Sequence, residues 1–109
     1  MKTTVEFLDA VKEKLGIESD YALAKRLGFS LSSVSSYRTG RRVLDDDAAL
    51  TVALALDVHP FTVIASVNAE RAKTPEQRAR WSGVMEKFSL SFNLLLLGAS
   101  PRRASFLTR

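Results

Sequence analysis

Two short runs of apolar residues, separated by a glycine, constrain the fold of this chain more than any other feature. They lie between Asp20 and Arg42 and are joined by Gly28-Phe29-Ser30. A three-residue connection of this kind is typical of two helices of about eight residues that pack nearly perpendicular to each other. Ala24 is small where the second helix must approach, and Gly28 can adopt the positive φ of the turn. The residues that can face inward together are Leu23, Leu27, Phe29, Val34 and Tyr37.

Four further helices are predicted from apolar residues at helical spacing and from residues that start or end helices. Serines at the starts of the second and third helices, Ser19 and Ser30, can cap them. The other signals are a terminating Gly16 for the first helix, aspartates 45–47 before the fourth, Pro60 in the fifth and Thr74-Pro75 with Gln77 in the sixth. The sequence therefore predicts an all-α fold.

The residue inventory excludes most enzyme classes. The chain has no cysteine and one histidine, His59, which rules out disulfide scaffolds, thiolate metal sites, cysteine nucleophiles and catalytic triads that need histidine. We expect no enzyme activity, no metal and no cofactor. The first residues carry Lys2 and Glu6 where a signal peptide would be apolar, so we expect a cytoplasmic protein associated with the nucleoid.

Positive charge is concentrated in the two-helix segment. The whole chain has 16 Lys and Arg against 12 Asp and Glu, a modest excess. The stretch from Lys25 to Arg42, however, holds five basic residues and no acidic one. A local cationic surface of this kind favours a polyanionic partner such as double-stranded DNA.

The segment from Asp20 to Arg42, DYALAKRLGFSLSSVSSYRTGRR, resembles the Cro/C1-type (XRE-like) helix-turn-helix repressor family. The run Ala-Leu-Asp-Val-His-Pro at 55–60 resembles the segment that joins the last two helices of such domains, and the pattern around Glu70–Lys73 and Arg80-Trp81 is similar to small phage-related members. The resemblance implies a five-helix λ-repressor-like DNA-binding domain over residues 1–73. Residues 74–109 then form an extra helical extension. The implied function is that of a phage or prophage-type repressor that binds a palindromic operator as a homodimer.

Residue roles follow from the resemblance position by position. The implied base-reading residues at the exposed front of the third helix are Leu31, Ser32, Ser33 and Ser36. Serine hydroxyls discriminate bases less sharply than arginine or glutamine, and Leu31 can touch a thymine methyl group. The implied phosphate-binding residues are Ser19, Lys25, Arg26, Ser35, Arg38, Arg41 and Arg42.

Two positions depart from the family pattern. Asp20 stands where many relatives have a phosphate-binding glutamine, and Arg38 stands where many have an acidic residue. Asp20 can instead serve the positive end of the second helix. For Arg38 the sequence leaves two interpretations open, a contact with DNA and an ion pair with Glu13.

The C-terminal region holds an apolar surplus that a five-helix repressor domain does not need. Residues 88–97 fit a continued helix, which we favour, although alternating apolar residues also fit a strand. The apolar run is too short to cross a bilayer as a helix, so we expect no membrane partner. Because large apolar surfaces usually mark contacts, we predict a dimer interface formed by Trp81, Met85, Phe88, Phe92, Leu95 and Leu96.

Two other functions fit the same residues. One is a protein-interaction module, such as an antitoxin or anti-regulator, that grips a protein partner through the C-terminal segment. The other is an architectural DNA-binding protein without sequence preference, since the serine face carries little information.

Overall fold

The computed structural model describes the backbone of residues 2–97, and the side chains of that range apart from Ser89 and residues 91–97. All secondary structure in this range is helical, which confirms the predicted all-α class. The helices are α1 (Thr4–Leu15), α2 (Asp20–Leu27), α3 (Leu31–Arg38), α4 (Asp46–Leu56), α5 (Pro60–Arg71) and α6 (Pro75–Leu97). The favoured continuation of helix through residues 88–97 is confirmed as far as Leu97.

The predicted helix signals lie where the helices begin and end. The hydroxyls of Ser19 and Ser30 each accept a 3.0 Å hydrogen bond from the backbone N–H group three residues further on. The carboxylate of Asp45 caps α4 in the same way at 2.8 Å. Gly28 ends α2 with φ of 74°, a backbone conformation that glycine adopts at no steric cost. These caps fix the short turn between α2 and α3.

Helices α1 to α5 together form the core, and each of the five contributes a fully buried side chain. Leu23, Val34 and Tyr37 are buried in it, while Leu27 and Phe29 are partly buried against it, so the predicted inward face of α2 and α3 is confirmed. Tyr37 and Phe29 meet edge-on with ring centroids 6.0 Å apart. The main buried residues of the five helices are Leu8, Leu23, Val34, Val52 and Val63.

A partly buried network of hydrogen bonds joins the start of α1 to the end of α5. The side chain of Glu70 on α5 accepts hydrogen bonds from the N–H and the hydroxyl of Thr4, at 2.9 and 2.8 Å. The Thr4 hydroxyl in turn accepts from the N–H of Leu44 at 3.3 Å, and Arg71 donates to the carbonyl of Leu44 at 3.2 Å. The start of α1, the end of α5 and the loop before α4 are thereby held together.

Helix α6 packs along α5. The ring of Phe88 lies 4.8 Å, centroid to centroid, from the rings of both Phe61 and His59. No helix in residues 2–97 combines the length and apolar character that crossing a membrane requires.

Candidate nucleic-acid interface

Helix α3 has one buried side and one side open to solvent. Val34 and Tyr37, three residues apart, are 1% and 2% exposed and anchor the helix to the core. Leu31 on the other side is 52% exposed, although it is a large apolar residue. The serines between these positions are exposed at 32 and 35 and half-buried at 33 and 36. The helix therefore presents a surface of small hydroxyl groups with one leucine at its start.

One of these serines is held by its neighbours. The hydroxyl of Ser33 accepts hydrogen bonds from the hydroxyl of Ser30 at 2.9 Å and from Nη1 of Arg42 at 3.3 Å. Its own O–H remains able to donate. The hydroxyls of Ser32 and Ser36, by contrast, make no hydrogen bond within the described part of the chain. The Ser35 hydroxyl makes none there either, so three serines of α3 have both donor and acceptor capacity unused.

The loop after α3 carries two exposed arginines against the end of the helix. The backbone N–H groups of Arg41 and Arg42 donate to the carbonyl of Ser36 at 3.0 and 3.3 Å. The guanidinium of Arg42 lies 5.4 Å from the centre of the Tyr37 ring and 3.9 Å from Asp45. Arg41 donates through Nε to the hydroxyl of Thr39 at 3.2 Å. Both cations are thus positioned beside the serine face with their charge exposed.

Helix α2 contributes the second pair of predicted cations. Lys25 and Arg26 are exposed, and the ammonium group of Lys25 lies 5.7 Å from the centre of the Tyr21 ring. The hydroxyl of Ser19 caps α2 by accepting from the N–H of Ala22. A phosphate contact from Ser19 would therefore use its O–H as the donor.

Arg38 belongs to an ion-pair cluster that joins three helices. Its Nε and Nη2 donate to the two oxygens of Asp20 at 3.0 and 2.9 Å, and its Nη1 donates to Asp9 at 2.7 Å. Lys12 reaches Asp20 at 3.2 Å. The alternative pairing with Glu13 is wrong: the guanidinium meets Asp9, one helical turn earlier on the same side of α1.

The ion pairs of this cluster shift the pKa values of Asp20 and Arg38. The hydrogen bond from Arg38, followed by that from Lys12, lowers the pKa of Asp20 despite the opposing effect of partial burial. The same hydrogen bond, which Arg38 donates to Asp20, raises the pKa of Arg38. Arg38 is therefore a positive group neutralised within the protein, and Asp20 is the partner that sequence reasoning assigned only to a helix end.

The predicted dimer residues divide into two groups. Trp81, Met85 and Phe88 are half-buried, and Phe88 contacts α5 of its own chain. Phe92, Leu95 and Leu96 lie outside the residues whose side chains the structure describes. Leu90, which the sequence prediction did not include, is 62% exposed on α6.

Comparisons with known proteins place the chain among phage-related sequences. A family model described as "Phage related protein" matches residues 64–107, a range that begins within α5. The uncharacterized protein Gp-c of Pseudoalteromonas phage PM2 is 32% identical over 84 residues, which cover 72% of this chain and 90% of Gp-c. No solved structure matches the chain.

Proposed function

We propose that the chain, which belongs to the same family of phage proteins as Gp-c, is a sequence-specific DNA-binding regulator of transcription. The observation that carries the proposal is the solvent-facing serine surface of α3, anchored from behind by Val34 and Tyr37 and flanked by Arg41 and Arg42. In this interpretation α2 and α3 are the helix-turn-helix of a λ-repressor-like domain. No bond is made or broken in such a function.

The dimensions of α3 support its entry into the major groove. With its side chains an α-helix is about 10–12 Å in diameter, which is comparable to the width of the major groove of B-form DNA, about 12 Å. Ser32 and Ser36 would meet base edges, and Leu31 would contact a thymine methyl group. Since serine reads bases weakly, water and the shape of the DNA would supply part of the specificity.

Arg41 and Arg42 are the principal phosphate contacts in this proposal, with Lys25 and Arg26 on α2 as a second pair. Ser19 and Ser35 can add hydroxyl donors. Arg38 is left out of the contact set because its three donor nitrogens already meet Asp9 and Asp20. Its role is to hold α3 in place relative to α1 and α2.

A homodimer completes the proposal. Two copies would place their α3 helices in successive major grooves, roughly 34 Å apart, on a palindromic operator. The proposed contact between the copies lies in the C-terminal part of α6, where Leu90 is exposed and where the sequence predicted residues 92, 95 and 96, whose side chains lie outside the described part of the chain.

Selection of bound duplexes from a random pool tests the proposal. A regulator of this kind enriches a palindromic consensus. Retention of duplexes that share no common sequence would support the architectural DNA-binding alternative. No retention of duplex DNA above that of a carrier without the protein would overturn DNA binding altogether.

A further inference from the structure

A groove of about 840 Å³ lies between α5 and α6, away from the serine face. Its apolar lining is formed by Phe61 from the start of α5 and by Trp81 and Val84 from α6. Trp81 is only half-buried there and Val84 is 47% exposed, so both present apolar surface to solvent. The volume falls within the roughly 300–1,000 Å³ that is usual for ligand sites.

The charged groups that line this groove are all cations. They are Arg71, Lys73 and Arg80, and no aspartate or glutamate is among the lining residues. In the described part of the chain, Lys73 and Arg80 form no ion pair through their side chains. Arg71 uses one N–H on the carbonyl of Leu44 at 3.2 Å, which fixes its position without neutralising its charge. The groove therefore combines apolar surface with uncompensated positive charge, which complements an anionic ligand that also carries apolar groups.

We propose that this groove binds an acidic peptide segment of a partner protein. An aromatic or long aliphatic side chain of the segment packs against Trp81 and Phe61, and its carboxylates pair with Arg80 and Lys73. The site lies on α5 and α6 and does not depend on DNA binding by α3.

The chemistry of the groove favours this occupant over the others. The backbone of duplex DNA is charged and convex, so it offers no apolar group to a concave aromatic surface. The remaining residues of this chain, 98–109, include Arg102, Arg103 and Arg109 and no aspartate or glutamate, so their charge opposes entry. An acidic segment with one apolar anchor satisfies both the cations and the aromatic lining.

The chain carries its own reporter for the test. Trp81 is the only tryptophan in the sequence, so the tryptophan fluorescence of the full-length protein comes from a residue that lines the groove. The probe is a short synthetic peptide of aspartates and glutamates around a central Phe-Leu pair, labelled so that its anisotropy gives a second measurement. We expect saturable binding that weakens about tenfold when the carboxylates become amides or when Phe-Leu becomes Gly-Gly.

Two arginines on α6 give a matched pair of variants. Arg80 lines the groove, whereas Arg78 lies on the other side of α6 beside Lys2 and Ser66. Arg80→Gln is expected to weaken peptide binding at least about fivefold, and Arg78→Gln to leave it unchanged. Neither change should alter binding to duplex DNA, so failure of this proposal is distinguishable from failure of DNA binding.

Several results would overturn the peptide site. One is the absence of saturable peptide binding by either readout, and another is an equal loss in the Arg78 and Arg80 variants. Tighter binding of oligothymidylate than of the peptide would make the groove a single-strand site. A further contrary result is that a second copy of the chain covers Trp81 instead. That result would appear as shielding of Trp81 that increases with protein concentration in the absence of peptide, in parallel with self-association measured by sedimentation.

Discussion

Arg38 forms a bidentate ion pair with Asp20, in which Nε donates to Oδ2 at 3.0 Å and Nη2 donates to Oδ1 at 2.9 Å. This pair joins the end of α3 to the first residue of α2. The third nitrogen, Nη1, reaches Asp9 on α1 at 2.7 Å. A guanidinium that binds two carboxylates in this geometry fixes the direction of α3, and its charge is not available to the proposed DNA-facing surface. Arg38 therefore holds α3 in place, whereas Arg41 and Arg42 are the arginines proposed to contact phosphates.

The first prediction concerns the stability that this cluster provides. Arg38→Met is expected to lower the free energy of unfolding by about 1–2 kcal/mol, because Asp9 and Asp20 lose their shared partner; screening by solvent keeps the effect modest. Urea unfolding of Arg38→Met, Asp20→Asn and the double variant measures the coupling. Arg26→Met, which removes an exposed cation of α2, is the control and should change stability by less than about 0.5 kcal/mol. An equal loss in the control would contradict a structural role for Arg38.

The second prediction is a pH dependence. The pKa of Asp20 is lowered in the folded protein by its hydrogen bonds to Arg38 and Lys12. Its contribution to stability is therefore fully present above the unfolded-state pKa of about 3.9 and is lost as the pH falls through the lower folded-state pKa. The stability difference between wild type and Asp20→Asn should be constant above about pH 5 and shrink below about pH 4. A difference that stays constant down to about pH 2 would show that the pKa of Asp20 is not lowered.

The third prediction concerns phosphate contacts. Replacing Arg41 and Arg42 by alanine should weaken binding to all duplexes alike and reduce the slope of log affinity against log salt by about 1 for each residue. Fluorescence anisotropy over a salt series measures both quantities. Lys87→Ala, an exposed cation on α6, is the control and should leave the slope unchanged. An unchanged slope in the double variant would remove these arginines from the interface.

The fourth prediction separates two neighbouring serines. Ser32→Ala removes an exposed hydroxyl with no partner in the described chain, so it should change preference among duplexes without a change in stability. Ser33→Ala breaks the contacts to Ser30 and Arg42, so it should lower affinity for all sequences by about threefold to tenfold. Duplex selection with each variant provides the comparison. The reverse pattern would mean that Ser33, rather than Ser32, reads the bases.

The fifth prediction locates the dimer contact. Leu90→Glu places a charge at an exposed apolar position in the part of α6 proposed as the contact, and should shift the sedimentation equilibrium toward monomer by at least about tenfold. Leu54 on α4 is 69% exposed and gives a matched test on another helix. Dissociation by Leu54→Glu alone would place the contact on α4 instead.

Local signals in the sequence predicted the helices well because capping and periodicity act within a few residues. Ser19, Ser30 and Asp45 cap the helices that their positions indicated, and Gly28 ends α2 in the expected conformation. The inward face of α2 and α3 followed from spacing alone. Each of these features depends on residues that are close to one another in the sequence.

Contacts between distant residues could not be predicted in the same way. Arg38 meets Asp9 across 29 positions, and Thr4 meets Glu70 across 66. Several charged residues could have filled each role, and only the packing of the helices decides among them. The same holds for Phe88, whose helical spacing fits a contact with α5 as well as it fits a dimer interface.

An NMR titration of the labelled full-length protein with the selected duplex, or with mixed-sequence duplex if none is enriched, tests the central claim most directly. If α3 reads DNA, the largest changes in amide shift fall on residues 31–36 and on Arg41 and Arg42, while the α5–α6 groove around Trp81 changes little. Changes confined to that groove, with residues 31–36 unaffected, would contradict the account.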